Sequence, residues 1–166
     1  MAVPATKDEL TALFQRFGAK NPELWAASQV DEGIPQLARF LFMKAAWEHI
    51  PREGDSSWID REIKTSTERP SLPYAGLGKA LELCREKGVP DSALTEIARC
   101  LQASMLFTVG YVIDGPAYSY TVEGLSWSLF QVDEEGKPFG EPVAGLHESV
   151  LEFDPTGREM RPPGDA

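Results

Sequence analysis

His147-Glu148-Ser149-Val150-Leu151 begins as a zinc-protease signature does, but leucine stands where the second histidine is needed. That signature works because two imidazoles four residues apart share one face of a helix. The chain has only two histidines, His49 and His147, so a histidine-rich metal site is not expected. Cys84, His147 and an acid contain the residue types of a nucleophile, base and orienter, yet nothing in their spacing brings them together. They read instead as a core thiol and an ordinary surface or sheet histidine. Tyr74-Ala75-Gly76-Leu77-Gly78-Lys79-Ala80 resembles a phosphate loop only superficially: Pro73 occupies the first glycine position and Ala80 replaces the hydroxyl. Small residues that let two helices approach closely explain it better. No catalytic residue, metal ligand or cofactor is therefore assigned.

Carboxylates and aromatic residues leave more to consider. Asp31-Glu32, Asp133-Glu134-Glu135, and Glu148 with Glu152 and Asp154 are the acidic groupings. Acid–base catalysis needs such pairs in a cleft with separated pKa values, and spacing alone supplies neither. Read as a strand, 147–153 puts Glu148, Val150 and Glu152 on one face, a negative ridge. Trp127 lies on the preceding strand beside Tyr118 and Tyr120, and aromatic residues next to acids suit a protein-binding surface. The candidate partner-binding set is thus Trp127, Asp133, Glu134, Glu135, Glu148 and Glu152.

The elements that must position these residues fall into two parts. Thr6-Lys7-Asp8-Glu9 is a capping box, and Leu10, Leu13, Phe14 and Phe17 follow at helical spacing. Asn21-Pro22-Glu23 opens a short helix carrying Leu24 and Trp25. From Ile34 to His49 a helix is apolar around most of its circumference, which places Leu41 in the core. Trp58, Ile59 and Ile63 mark a fourth helix. Tyr74, Leu77, Leu81 and Cys84 form the stripe of a fifth, closed by Lys87-Gly88-Val89-Pro90. The sixth starts at Asp91 or Ser92 and buries Leu94, Ile97, Ala98, Leu101 and Met105. The β-branched and aromatic run 106–113 fits either a strand or the same helix continuing to about Ile113, and the helix is preferred because no turn residue separates the two halves.

After Asp114-Gly115-Pro116 the period changes. Tyr118, Tyr120 and Val122 alternate, 127–132 reads as a strand, and 147–153 as a second strand paired with it across a long acidic loop. The fold class is α+β: a helical portion, 6–113, packed on a small antiparallel sheet within a β portion, 117–160, the whole 1–166 being one domain.

At 166 residues such a domain can bury a core without disulfides or metals. Two cysteines, no basic-then-apolar leader and no apolar run of membrane-spanning length lead us to expect a soluble, cytoplasmic protein. The net charge of −10 is uneven. Met1–Ile113 has 15 acids against 13 bases, whereas Asp114–Ala166 has 11 against 3, so −8 of it sits in the last third. That field repels nucleic acid and anionic membrane and attracts basic proteins. The expectation is a protein-binding module that docks on a basic partner through its acidic C-terminal region, as toxin-neutralising immunity proteins do. A small enzyme with a carboxylate-based site, and a secretion chaperone or adaptor, are the alternatives; the oligomeric state is left open.

Overall fold

The structure, a computed structural model, describes residues 6–115 and 126–162. Among them are seven α-helices, one 3-10 turn and a two-stranded antiparallel sheet, so the α+β class stands, with a helical N-terminal portion and a small C-terminal sheet. Tyr118, Tyr120 and Val122 lie outside the described residues. The helices are α1 (Lys7–Arg16), α2 (Pro22–Glu32), α3 (Gln36–Trp47), α4 (Ser57–Glu68), α5 (Gly76–Glu86), α6 (Asp91–Asp114) and α7 (Leu146–Ser149). The strands are β1 (Leu129–Val132) and β2 (Pro138–Val143).

The chain divides into two compact units, and the division does not follow the change of period near Gly115. Met1–Ala46 and Leu106–Val150 form the first; Trp47–Met105 and Leu151–Ala166 form the second. In the first, the expected capping box closes α1: Thr6 accepts from the Glu9 N–H, and the Glu9 carboxylate accepts from the Thr6 N–H. Phe14, Trp25 and Phe40, one from each of α1, α2 and α3, meet with centroids 5.4–5.9 Å apart. The two contacts to Phe40 are edge-to-face, a favoured aromatic geometry. Leu37, Phe40 and Met43 are the buried stripe of α3 within this unit, and Leu41 is not part of it, being 37% exposed. An apolar circumference told us that α3 is central without telling which side faces solvent.

In the second unit, Ile59, Leu81 and Leu94 form a core with Trp58, Ile63, Cys84 and Val89 packed against it. Gly78 lies directly against the Glu62 carbonyl and the Ser66 side chain, so this glycine serves close helix packing, whereas Gly76 and Ala80 are exposed. Tyr74 is not on the α5 stripe: it precedes the helix with φ +68° and is fully exposed. α6 does run to Asp114, as expected. Its buried side is different, however: Leu101, assigned to the core from the sequence, is 66% exposed.

Two features of the C-terminal third depart from expectation. The sheet pairs β1 with 138–143, with Leu129 opposite Val143 and Gln131 opposite Phe139. The acidic connection is a tight turn. The Asp133 carboxylate accepts the N–H groups of Glu135 (3.1 Å) and Lys137 (2.8 Å), and Gly136 turns at φ +79°. Residues 147–153 are not a strand: α7 and a 3-10 turn, Leu151–Phe153, occupy them. Leu146, Ser149 and Val150 are the buried positions, a helical spacing rather than an alternation.

Candidate functional site

Asp114, the last residue of α6, organises the start of α7. Its carboxylate accepts the backbone N–H groups of Leu146 (3.0 Å) and His147 (3.1 Å), donors that a helix N-terminus leaves without intrahelical partners. The same group lies 2.5 Å from Nδ1 of His147. Burial pushes the Asp114 pKa up, but the hydrogen bonds from the His147 ring and from the Leu146 and His147 amides outweigh it, and the net shift is downward. The imidazole stands edge-on to Tyr111 at 4.8 Å and to Phe107 at 5.7 Å, both on α6. Gly110 lets the backbone at the start of α7 come this close, since a Cβ there would lie 3.0 Å from the His147 backbone nitrogen.

An ion pair with α3 also reaches α7. Arg39 on α3 reaches Glu148 at 3.4 Å, and its guanidinium lies over Gly145, where a Cβ would be 2.7 Å from Nη1. The ridge expected of Glu148 and Glu152 therefore does not form. It required a strand; Glu148 is instead paired with Arg39 in the first unit, and Glu152 sits on the 3-10 turn of the second.

The hairpin retains the other candidates. Glu134 and Glu135 are exposed at its tip, beside Asp133, whose carboxylate is occupied by the turn. On the face defined by the register, Phe130, Val132 and Pro138 are exposed, while Leu129 and Val143 on the other face are at least partly covered. Trp127 donates its indole N–H to the Val112 carbonyl at 2.8 Å and leaves much of its ring in solvent. The tip thus combines exposed carboxylates with exposed apolar side chains.

Both cysteines are free. Cys84 packs against the core of the second unit. Burial and the neighbouring Glu96 push the Cys100 thiol's pKa up, the reverse of what an activated nucleophile requires. Among the described residues, no three histidine, cysteine, aspartate or glutamate side chains cluster as metal ligands, and no helix is long and apolar enough to cross a membrane.

Sequence reasoning missed the most deeply buried charged pair among the described residues, Arg99 with Asp154 in the second unit. Its partial signal is Asp154-Pro155-Thr156-Gly157, the composition of a turn in which an aspartate accepts from the residues after it. Asp154 does so, from the Thr156 N–H and hydroxyl and from the Met160 N–H. Comparison with protein families, curated proteins and solved structures finds no match to this chain.

Proposed function

We propose that this chain is a protein-binding module that docks on a basic protein through the hairpin of β1 and β2, in the manner of toxin-neutralising immunity proteins. The observation that carries the reading is the hairpin tip. Exposed Glu134 and Glu135 stand beside Asp133, with Lys137 the one base of the turn, next to the exposed Phe130 and Val132. Charges of one sign steer a partner of the other sign, and desolvated apolar side chains then hold it. Trp127 contributes its exposed ring. Glu148, held by Arg39, contributes to the fold instead.

The test is capture from extract of the source cell with the full chain, compared with a Glu134→Lys/Glu135→Lys variant that leaves the turn-forming Asp133 in place. A basic protein retained stoichiometrically by the wild type and lost from the variant supports the reading. A partner retained equally by both, or no stoichiometric partner, counts against it.

The enzyme alternative draws on Asp114 and His147, since a carboxylate at Nδ1 is how a general-base imidazole is oriented. The capping and packing contacts of both residues already account for their placement, so the binding reading is preferred.

A further inference from the structure

The loop 69–75 joins α4 to α5 within the second unit and holds an aromatic residue under strain. Tyr74 has φ +68°, a left-handed conformation that a bulky side chain adopts at a cost and glycine adopts freely. Its neighbours pin it there. The Leu72 N–H donates to the Arg69 carbonyl, the Ala75 N–H to the Leu72 carbonyl and the Leu77 N–H to the Tyr74 carbonyl, at 2.9–3.2 Å. The Ser66 hydroxyl of α4 donates to the carbonyl of Ala75, which is buried. Pro70 and Pro73 stiffen the loop further. Yet the Tyr74 side chain is 89% exposed, and among the described residues it makes no hydrogen bond or ring contact. Strain kept for a side chain that gains nothing inside the fold points to a contact outside it.

We infer that Tyr74 anchors a second protein-binding surface, inserting its ring into an apolar pocket on an acidic partner protein. Tyrosine and arginine are the residue types that dominate binding energy at interfaces, and a pinned loop loses little freedom on docking. Leu72 and Leu77, on either side of Tyr74, are 43% and 44% exposed and extend the apolar contact. Charge selects the partner. Between 61 and 79 four bases, Arg61, Lys64, Arg69 and Lys79, stand against two acids, Glu62 and Glu68, so this stretch carries +2 in a chain of −10. Lys64 is paired with Glu68. Arg69 and Lys79 are exposed and form no ion pair among the described residues. The sign is opposite to that of the hairpin tip, so the surface attracts an acidic protein and not the basic one. The backbone also excludes a proline-reading groove as the receptor. Pro70-Ser71-Leu72-Pro73 has the spacing of such a ligand, but the turns at Arg69 and Leu72 fold it out of the extended left-handed helix that those grooves bind. The inference is independent of the hairpin's role.

Two measurements on the full chain test it. In urea titration, Tyr74→Gly is expected to leave the unfolding midpoint unchanged or to raise it, because glycine relieves the backbone and no contact is lost. A lowered midpoint would show that the ring serves the fold and would overturn the inference. In the second measurement, the photo-reactive residue benzoylphenylalanine replaces Leu72, and the chain is irradiated in extract of the source cell. An acidic protein is expected to be cross-linked at that position. Adding Tyr74→Gly or Arg69→Glu should lower the yield by about tenfold or more, as loss of an interface anchor does. Tyr74→Phe, which keeps the ring, and Glu134→Lys/Glu135→Lys, which alters only the hairpin, should leave it in place. Cross-linking to a basic protein, to a second copy of this chain alone, or to nothing beyond what the Tyr74→Gly variant gives overturns the inference.

Discussion

Arg99 and Asp154, 55 residues apart in sequence, form an ion pair at 3.3 Å with side chains 2% and 0% exposed. Neither charge stands alone. The guanidinium also donates to the Pro51 carbonyl at 2.8 Å, and the carboxylate accepts three hydrogen bonds from Thr156 and Met160. Removing Asp154 leaves the buried guanidinium with the partly exposed Glu96, 3.7 Å away, as its remaining acid and leaves the donors of Thr156 and Met160 unpaired, so Asp154→Ala is expected to lower stability by about 2–4 kcal/mol. Denaturant titration measures it. A loss under about 1 kcal/mol would show that the pair is open to water.

Acid should destabilise the fold through the same carboxylate and through Asp114. Burial pushes the Asp154 pKa up, but hydrogen bonds from Thr156 and Met160 and the charge of Arg99 reverse this, and both aspartates end below the usual carboxylate range. A depressed folded-state pKa means that the unfolded chain binds the proton more readily. The contribution to stability is therefore complete above the unfolded value of about 3.9 and is lost as pH falls through the folded value. The denaturation midpoint should fall between pH 5 and pH 2.5, and Asp154→Asn should flatten part of that fall. An unaltered acid slope in the variant would count against this assignment.

Gly78→Ala tests the α4–α5 packing. Alanine favours a helix by about 1 kcal/mol over glycine. At this position its Cβ meets the Glu62 carbonyl and the Ser66 Cβ, and backbone cannot yield as a flexible side-chain end does. The expected result is a net loss of about 1–3 kcal/mol in chemical denaturation. A stabilised variant would place the two helices further apart than described.

Along α3, Met43 is fully buried whereas Leu41 is more than a third exposed. Met43→Ala should cost about 2–5 kcal/mol and Leu41→Ala under about 1 kcal/mol. The reverse order in urea titrations would turn the helix around its axis.

That pair of residues illustrates what was legible in the sequence. Local grammar was readable: the Thr6–Glu9 capping box and the Lys87-Gly88-Val89-Pro90 stop follow from contacts within a few residues, whereas 106–113, β-branched and aromatic, fitted a strand as well as the helix that forms. Which apolar stripe is buried was not, because a period gives a helix its faces and only tertiary contacts choose among them. Leu101 was assigned to the core on periodicity, while the true buried stripe includes Arg99, a residue type that sequence reading places outside. β2 was hidden by Pro138, Gly140 and Pro142, all unfavourable in strands and tolerated here at a sheet edge. α7 was hidden because its first amides are satisfied by Asp114, more than 30 residues earlier. Of the candidate site, the exposed acids of the 133–135 turn were readable from composition. Asp133's part in building that turn was not, nor was Glu148's pairing with Arg39.

The most direct test of the docking proposal is the association rate of the full chain with its captured basic partner, followed by stopped flow from about 20 mM to about 500 mM salt, a range over which screening shortens from roughly 20 Å to a few Å. The wild type should associate fast at low salt and slow steeply as salt rises. Glu134→Lys/Glu135→Lys should reduce the low-salt rate by about tenfold or more and remove most of the salt dependence, while Phe130→Ala should act mainly on dissociation. Association that is insensitive to salt and unchanged by the charge reversal would contradict docking through the hairpin.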